Sequence, residues 1–98
     1  MQMSSVKENG KLTVSVSGRV DTATAPKLEE YINSNLEGVS ELVLDFAGMR
    51  YTSSAGLRVL LKMQKLMNAR GSMKLINVSG DVMEILDMTG FTDILTIG

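Results

Sequence analysis

Three hydroxyl side chains stand in a row at Thr52, Ser53 and Ser54, with Arg50 just before them and Arg58 just after. Two kinds of chemistry suit such a cluster. A Ser oxygen can cap the first turn of the helix that the following "AGLRVLL" predicts, worth about 1 kcal/mol. A Ser hydroxyl can also accept a phosphoryl group, which adds about −1.5 to −2 charges at neutral pH. The two readings share a location, because a helix N-terminus leaves N–H groups unpaired and carries partial positive charge. A phosphate there is stabilised by roughly 0.3–1 kcal/mol, so the charge can change while the fold does not.

Composition narrows what else the chain can do. There is no Cys and no His among the 98 residues. That removes disulfides, thiolate zinc sites, thiol nucleophiles and the commonest general base, so Ser–His–Asp catalysis is impossible within the chain. Ten Lys and Arg against 11 Asp and Glu give a net charge of −1, with the cations scattered singly. No nucleic-acid footprint is expected from that pattern. No apolar run approaches the ~20 residues of a membrane span, and "MQMSSVKENG" lacks the apolar segment of a signal peptide. The expectations are no membrane span, no cofactor, no metal, no enzymatic activity and a cytoplasmic location.

The elements that must position the hydroxyls follow from periodicity. In "GKLTVSVSGRV", Leu12, Val14 and Val16 alternate with Thr13, Ser15 and Ser17, the mark of a half-buried strand. The turn signal at residues 8–10 predicts a hairpin with a short strand around 3–8. A helix is expected within residues 20–38. Thr22 or Thr24 would cap it, Pro26 would sit in its first turn, Leu28, Tyr31, Ile32 and Leu36 would form its apolar face, and Gly38 would stop it. "SELVLDF" (40–46) reads as a strand covered on both faces. Residues 55–69 read as a second helix closed by Gly71, and "MKLINV" (73–78) as a strand. Residues 79–90 read as a short helix capped by Ser79 or Asp81, with Val82, Ile85 and Leu86 inward. "TDILTI" (92–97) reads as a last strand. The order β-β-α-β-α-β-α-β over residues 1–98 implies a single α/β domain. Its sheet is mixed but mostly parallel, with one antiparallel hairpin strand and right-handed crossovers. With four aromatic residues and eight Met, the core must be aliphatic and Met-filled, and roughly 60–65% of the unfolded chain's surface is buried at this size.

Open α/β sheets place functional sites beyond the carboxyl ends of their strands, which is where the hydroxyl cluster falls. Asp21 and Asp45 fit structural roles, Asp21 capping or orienting the loop before the first helix and Asp45 ending a strand. Arg50 and Arg58 fit solvated positions that can also steady a phosphate. Met63, Met67, Met83 and Met88 fit core and rim filling, and Met88 to Phe91 a helix stop followed by a packing aromatic. Gly56 fits a close approach of helix to its neighbours.

Four pieces of the chain stand together in order: Gly18, Val20 and Asp21; Asp45, Phe46, Gly48 and Met49; Ser54, Ala55, Gly56 and Leu57; and the late "MTGF". Over nearly its whole length the chain thereby resembles the STAS domain family, and within it the bacterial anti-sigma factor antagonists. The resemblance implies a protein that switches partners. Unphosphorylated, it would bind an anti-sigma factor that is also a serine kinase, freeing the sigma factor. Phosphorylated, it would let go, and a PP2C-type phosphatase would reset it. The family's phosphoacceptor, two positions before the helix glycine, falls on Ser54, with Ser53 second and Thr52 third. The resemblance also places Asp21 and Thr22 beside Ser53, Ser54, Ala55, Gly56 and Arg58 on the partner-binding face. Two positions depart from the family's D-S-[ST]-G-L: Ser53 replaces the acidic residue and Ala55 replaces a hydroxyl. That first departure favours an alternative in which the domain is a scaffold subunit docked on a transporter or an ABC-type ATPase. Direct nucleotide binding is disfavoured, since "SSAGL" has neither the spacing nor the Lys of a phosphate loop.

Overall fold

The computed structural model describes residues 1–98. Strands β1 (Gln2–Glu8) and β2 (Lys11–Val20) form an antiparallel hairpin, followed by helix α1 (Ala25–Asn33), strand β3 (Glu41–Thr52), helix α2 (Ser54–Arg70), strand β4 (Ser72–Ile76) and helix α3 (Gly80–Met88). A short 3-10 turn occupies Phe91–Asp93. The sheet order is β1-β2-β3-β4, with β2 and β3, and β3 and β4, pairing in parallel. The expected mixed, mostly parallel sheet is therefore present, with three helices packed on it.

Asn9 and Gly10 both take positive φ (51° and 79°), as the tightest hairpin turns require at their two central residues. Leu12, Val14 and Val16 point into one core that also takes Leu28 and Ile32 of α1, Leu60, Met63 and Met67 of α2, and Val82 and Leu86 of α3. The opposite sheet face, carrying Ser4, Val6 and Ser15, is exposed. β3 reads as apolar on both faces because it is central. Val43 lies outside the main core yet is buried between its register partners Thr13 and Lys74.

Several expectations are corrected. The strand expected over 40–46 continues to Thr52, so Asp45 lies within it; its Oδ1 accepts from Ala47 N–H and from Asn77 Nδ2, at 3.0 and 3.1 Å. α1 ends at Asn33 rather than near Gly38, although Leu36 stays buried. The last strand does not form. Residues 91–93 wind into the 3-10 turn, and Ile97 makes only an isolated bridge to Leu75. There Gln64 Oε1 accepts the Thr96 N–H, at 3.3 Å, while Leu95 drops into the core, Ile97 is half-buried against it and Ile94 stays exposed, so the alternating pair Leu95 and Ile97 is covered without a continuous ladder. Met88 is 80% exposed and fills nothing, whereas Met63 and Met67 are buried.

That contrast is measurable. Met63→Ala should cost about 2–5 kcal/mol in urea unfolding, as expected for emptying a buried Met site. Met88→Ala should stay within about 0.5 kcal/mol of the parent.

Candidate functional site

β2 and β3 run in parallel and end level, with Val20 opposite Thr52. The segments that follow them must therefore leave the same edge of the sheet side by side. After β3 there is no loop at all. Thr52 ends the strand, Ser53 is the N-cap, and Ser54 is the first residue of α2.

Ser53 takes extended backbone angles (φ −89°, ψ 175°), and its Oγ accepts the Gly56 N–H at 3.4 Å. Its own N–H donates to the Val20 carbonyl at 2.8 Å, tying the cap to the end of β2. The capping role is thus taken by Ser53. Ser54 is exposed, and its hydroxyl takes part in none of the site's side-chain hydrogen bonds. Thr52 is only 3% exposed and its hydroxyl donates to the Ser53 carbonyl, so the third hydroxyl of the cluster faces inward.

Gly56 makes this arrangement possible. A Cβ there would overlap the Thr52 hydroxyl and lie 2.9 Å from Val20 Cγ1. The close packing expected at this glycine is present, and it seats the first turn of α2 directly on the two strand ends.

Beside it, the segment after β2 is organised by Asp21. One carboxylate oxygen accepts the N–H groups of Ala23 and Thr24, both at 2.9 Å, and the Thr24 hydroxyl at 3.1 Å. The Asp21 N–H in turn donates to Thr24 Oγ1 at 2.8 Å. The helix entry is therefore held by Asp21. Thr24 occupies the N-cap position but makes no side-chain cap bond, and Thr22 is exposed, which corrects the expectation that a Thr caps α1. The bonds from the Thr24 N–H and hydroxyl, together with the Ala23 N–H and the nearby Arg19 charge, hold the Asp21 carboxyl below the usual range.

Thr22, Ala25 and Pro26 on one side and Ala55, Arg58 and Val59 on the other line a groove of about 380 Å³ between α1 and α2. The structure brings Asp21, Thr22, Ser53, Ser54, Ala55, Gly56 and Arg58 to one edge of the molecule. Arg50 is exposed on β3 and does not line the groove. Sequence reading missed the groove's apolar walls, Ala25 and Val59, because neither stands out among the apolar residues of its helix. It missed, too, that Arg58, Lys62 and Lys65, single cations along the chain, fall on one helix face. The Arg19 guanidinium stacking 4.4 Å from the centre of the Tyr51 ring also went unread, since its signal is a cross-strand register. No three His, Cys, Asp or Glu side chains converge as a metal site would need, and no helix is long and apolar enough to cross a membrane.

Two measurements probe this geometry. Gly56→Ala should destabilise the fold by about 1–3 kcal/mol through overpacking, despite the better helix propensity of Ala. In a carboxyl NMR titration Asp21 should titrate below the ordinary Asp value. Because the folded pKa is depressed, its contribution to stability is present above the unfolded pKa of about 3.9 and is lost as pH falls through the folded value. Asp21→Asn should remove that part of the pH dependence.

Comparison with known proteins agrees with this fold. The model of the STAS domain family matches residues 2–98. The anti-sigma-B factor antagonist of Bacillus subtilis is 32% identical over 94 residues, covering 94% of this chain and 86% of that protein. The crystal structure of an anti-sigma factor antagonist from Mycobacterium paratuberculosis superimposes with a TM-score of 0.87 at 23% identity, covering 98% of this chain and 83% of that one. SpoIIAA of Bacillus in its phosphorylated form shares the fold at 14% identity, with a TM-score of 0.76 over 99% of this chain and 91% of its own. The chain belongs to the STAS domain family, among the anti-sigma factor antagonists, which are regulators rather than enzymes.

Proposed function

We propose that this STAS domain antagonises an anti-sigma factor by switching partners, with Ser54 as its phosphoacceptor. The observation that carries the reading is the placement of Ser54. It is an exposed, uncommitted hydroxyl on the first turn of a helix whose cap is already supplied by Ser53. The kinship with a protein named for antagonising the anti-sigma-B factor supplies the kind of partner.

In this reading the unphosphorylated edge, with Asp21, Thr22, Ser53, Ser54, Ala55, Gly56 and Arg58, lies against an anti-sigma factor that is also a serine kinase. Complex formation frees the sigma factor. The kinase brings ATP and transfers its γ-phosphoryl group to Ser54 Oγ, forming the Ser54 O–P bond as the bond to the β-phosphate breaks and ADP leaves, with the hydroxyl proton taken by the kinase's base. The added charge meets a desolvated interface, where unfavourable charge juxtaposition costs several kcal/mol. At 1.4 kcal/mol per factor of ten, that is enough to release the partner. A PP2C-type phosphatase then removes the phosphate. The cytoplasm is where such a cycle runs.

Ser53, at the position that the family pattern D-S-[ST]-G-L gives to an acidic residue, keeps the cap without adding charge. It thereby leaves Ser54 as the accessible acceptor, with Ser53 itself tied by its cap bond.

The cycle is tested with a cognate anti-sigma kinase, ATP, and three variants. Ser54→Ala should take no phosphate and still bind, whereas Ser53→Ala should still be phosphorylated and should cost about 1 kcal/mol of stability. Ser54→Asp should bind the kinase at least about tenfold more weakly. If Ser54→Ala is still phosphorylated and Ser54→Asp binds normally, switching through Ser54 fails. Recovery of an ABC-type ATPase instead of the kinase would support a scaffold role.

A further inference from the structure

Helix α2 carries four cations, Arg58, Lys62, Lys65 and Arg70, and no carboxylate. After Lys74 the balance reverses: residues 75–98 hold Asp81, Glu84, Asp87 and Asp93 and no cation. A net charge of −1 hides this separation. On α2, Ser54, Arg58, Lys62 and Lys65 follow one another at steps of four, four and three. At 3.6 residues per turn they fall within about a quarter of the helix circumference, and all four are exposed. The one ion pair of the molecule, Lys62 with Glu29 at 2.9 Å, engages the middle of this stripe, so Arg58 and Lys65 have no carboxylate partner. Alongside runs the groove between α1 and α2, where Ala25 and Val59 are buried apolar walls and the charged rim is Arg58 with the Lys62–Glu29 pair, leaving Arg58 its one uncompensated group.

We propose that the exposed face of α2 from Ser54 to Lys65, with the adjoining groove, docks an acidic surface of a protein partner that inserts an apolar side chain into the groove. Charge complementarity carries the proposal. Arg58 and Lys65 are uncompensated cations on either side of a paired one, and the groove supplies what a flat basic patch lacks, a place for an anchor. An apolar anchor ringed by charge is the form protein–protein contacts take. A polyanion such as DNA would find only a short stripe and would meet the acidic α3 region elsewhere on the same small domain. A second copy, offering α3 to α2, would make a head-to-tail contact, which builds rings or filaments and would show as self-association. Resting on the reading of Ser54 as phosphoacceptor, the proposal adds a role for Arg58. One turn beyond Ser54, it is within reach of a phosphate there, which would draw it away from the partner's carboxylates.

The test uses the full chain, amide NMR and a short synthetic peptide with a single Leu among Asp and Glu residues. Shifts should map to residues 54–66 and to Ala25 and Val59. Affinity should fall steeply with added salt. Arg58→Glu with Lys65→Glu should weaken binding about tenfold or more while leaving the spectrum otherwise folded. Ser54→Asp should weaken peptide binding clearly, and in an Arg58→Gln background it should weaken it much less. Because this probe needs no kinase, absence of Ser54 phosphorylation would refute the proposed function and leave the docking result standing. The proposal is overturned if the peptide shifts map elsewhere, or if the double charge reversal leaves affinity unchanged. It also falls if a short DNA duplex binds the same face more tightly than the peptide. Self-association that vanishes in Glu84→Lys would assign the face to a second copy and equally refute it.

Discussion

The absence of a side chain at residue 56 is the constraint on which the rest of the site depends. With a Cβ there, α2 would collide with Thr52 and Val20, the last residues of two adjacent strands. With none, the helix begins immediately after the strand, and Ser53 must serve as its cap. The rotation of α2 about its axis is then fixed by what it buries: Gly56, Leu57, Leu60, Met63 and Met67 face inward. Ser54, Arg58, Lys62 and Lys65 are left outside. The presentation of a hydroxyl at the surface is a consequence of interior packing rather than of any surface interaction.

Parallel pairing supplies the second half of the site. Because Val20 lies opposite Thr52, the turn built around Asp21 and the first turn of α2 emerge next to each other. An antiparallel pair would send the two segments to opposite edges of the sheet. The bond from the Ser53 N–H to the Val20 carbonyl links the two turns directly. The Asp21 carboxylate, tied to the Ala23 and Thr24 N–H groups, keeps its own turn from wandering. Both rims of the groove are therefore backed by hydrogen-bonded backbone, so a partner meets a surface that is organised before it binds.

Most of the elements were readable from periodicity, because the residues that decide them also decide burial. Alternating Leu12, Val14 and Val16, the helical run from Leu57 to Met67, and Ser79 before Val82 each describe one face of one element. The failures have a common physical origin. "TDILTI" alternates like a strand, but strand formation needs a neighbour to pair with. There Gln64 takes the Thr96 N–H, and only Ile97 bridges to Leu75. The extension of β3 through Thr52 was hidden because Ala47, Gly48 and Arg50 break the apolar pattern while the ladder with β2 continues, with shifts in register, beneath them. At α1 Thr22, Thr24 and Asp21 were all readable as candidates, and the carboxylate, which accepts several N–H bonds at once, outcompeted the hydroxyls. The hydroxyl cluster itself was readable as a site, but its internal division was not. Which of Thr52, Ser53 and Ser54 is buried, which caps and which is free depends on where the strand stops, and that is a property of the sheet.

The magnitudes decide where a phosphate on Ser54 would act. At the helix terminus it is favoured by about 0.3–1 kcal/mol, against a fold stability of about 5–15 kcal/mol for a domain of ordinary stability. It displaces no cap, because Ser53 holds that place, and it enters no core, because Ser54 is exposed. The fold therefore has no reason to respond. A micromolar complex, by contrast, rests on about 8 kcal/mol, and an unfavourable charge at its centre removes several of them. A phosphate at Ser54 would thus be nearly neutral for the monomer and decisive for the proposed complex. Under the docking proposal the positive face of α2 would widen that gap, since each cation drawn toward the phosphate would steady the free domain while being withdrawn from the partner.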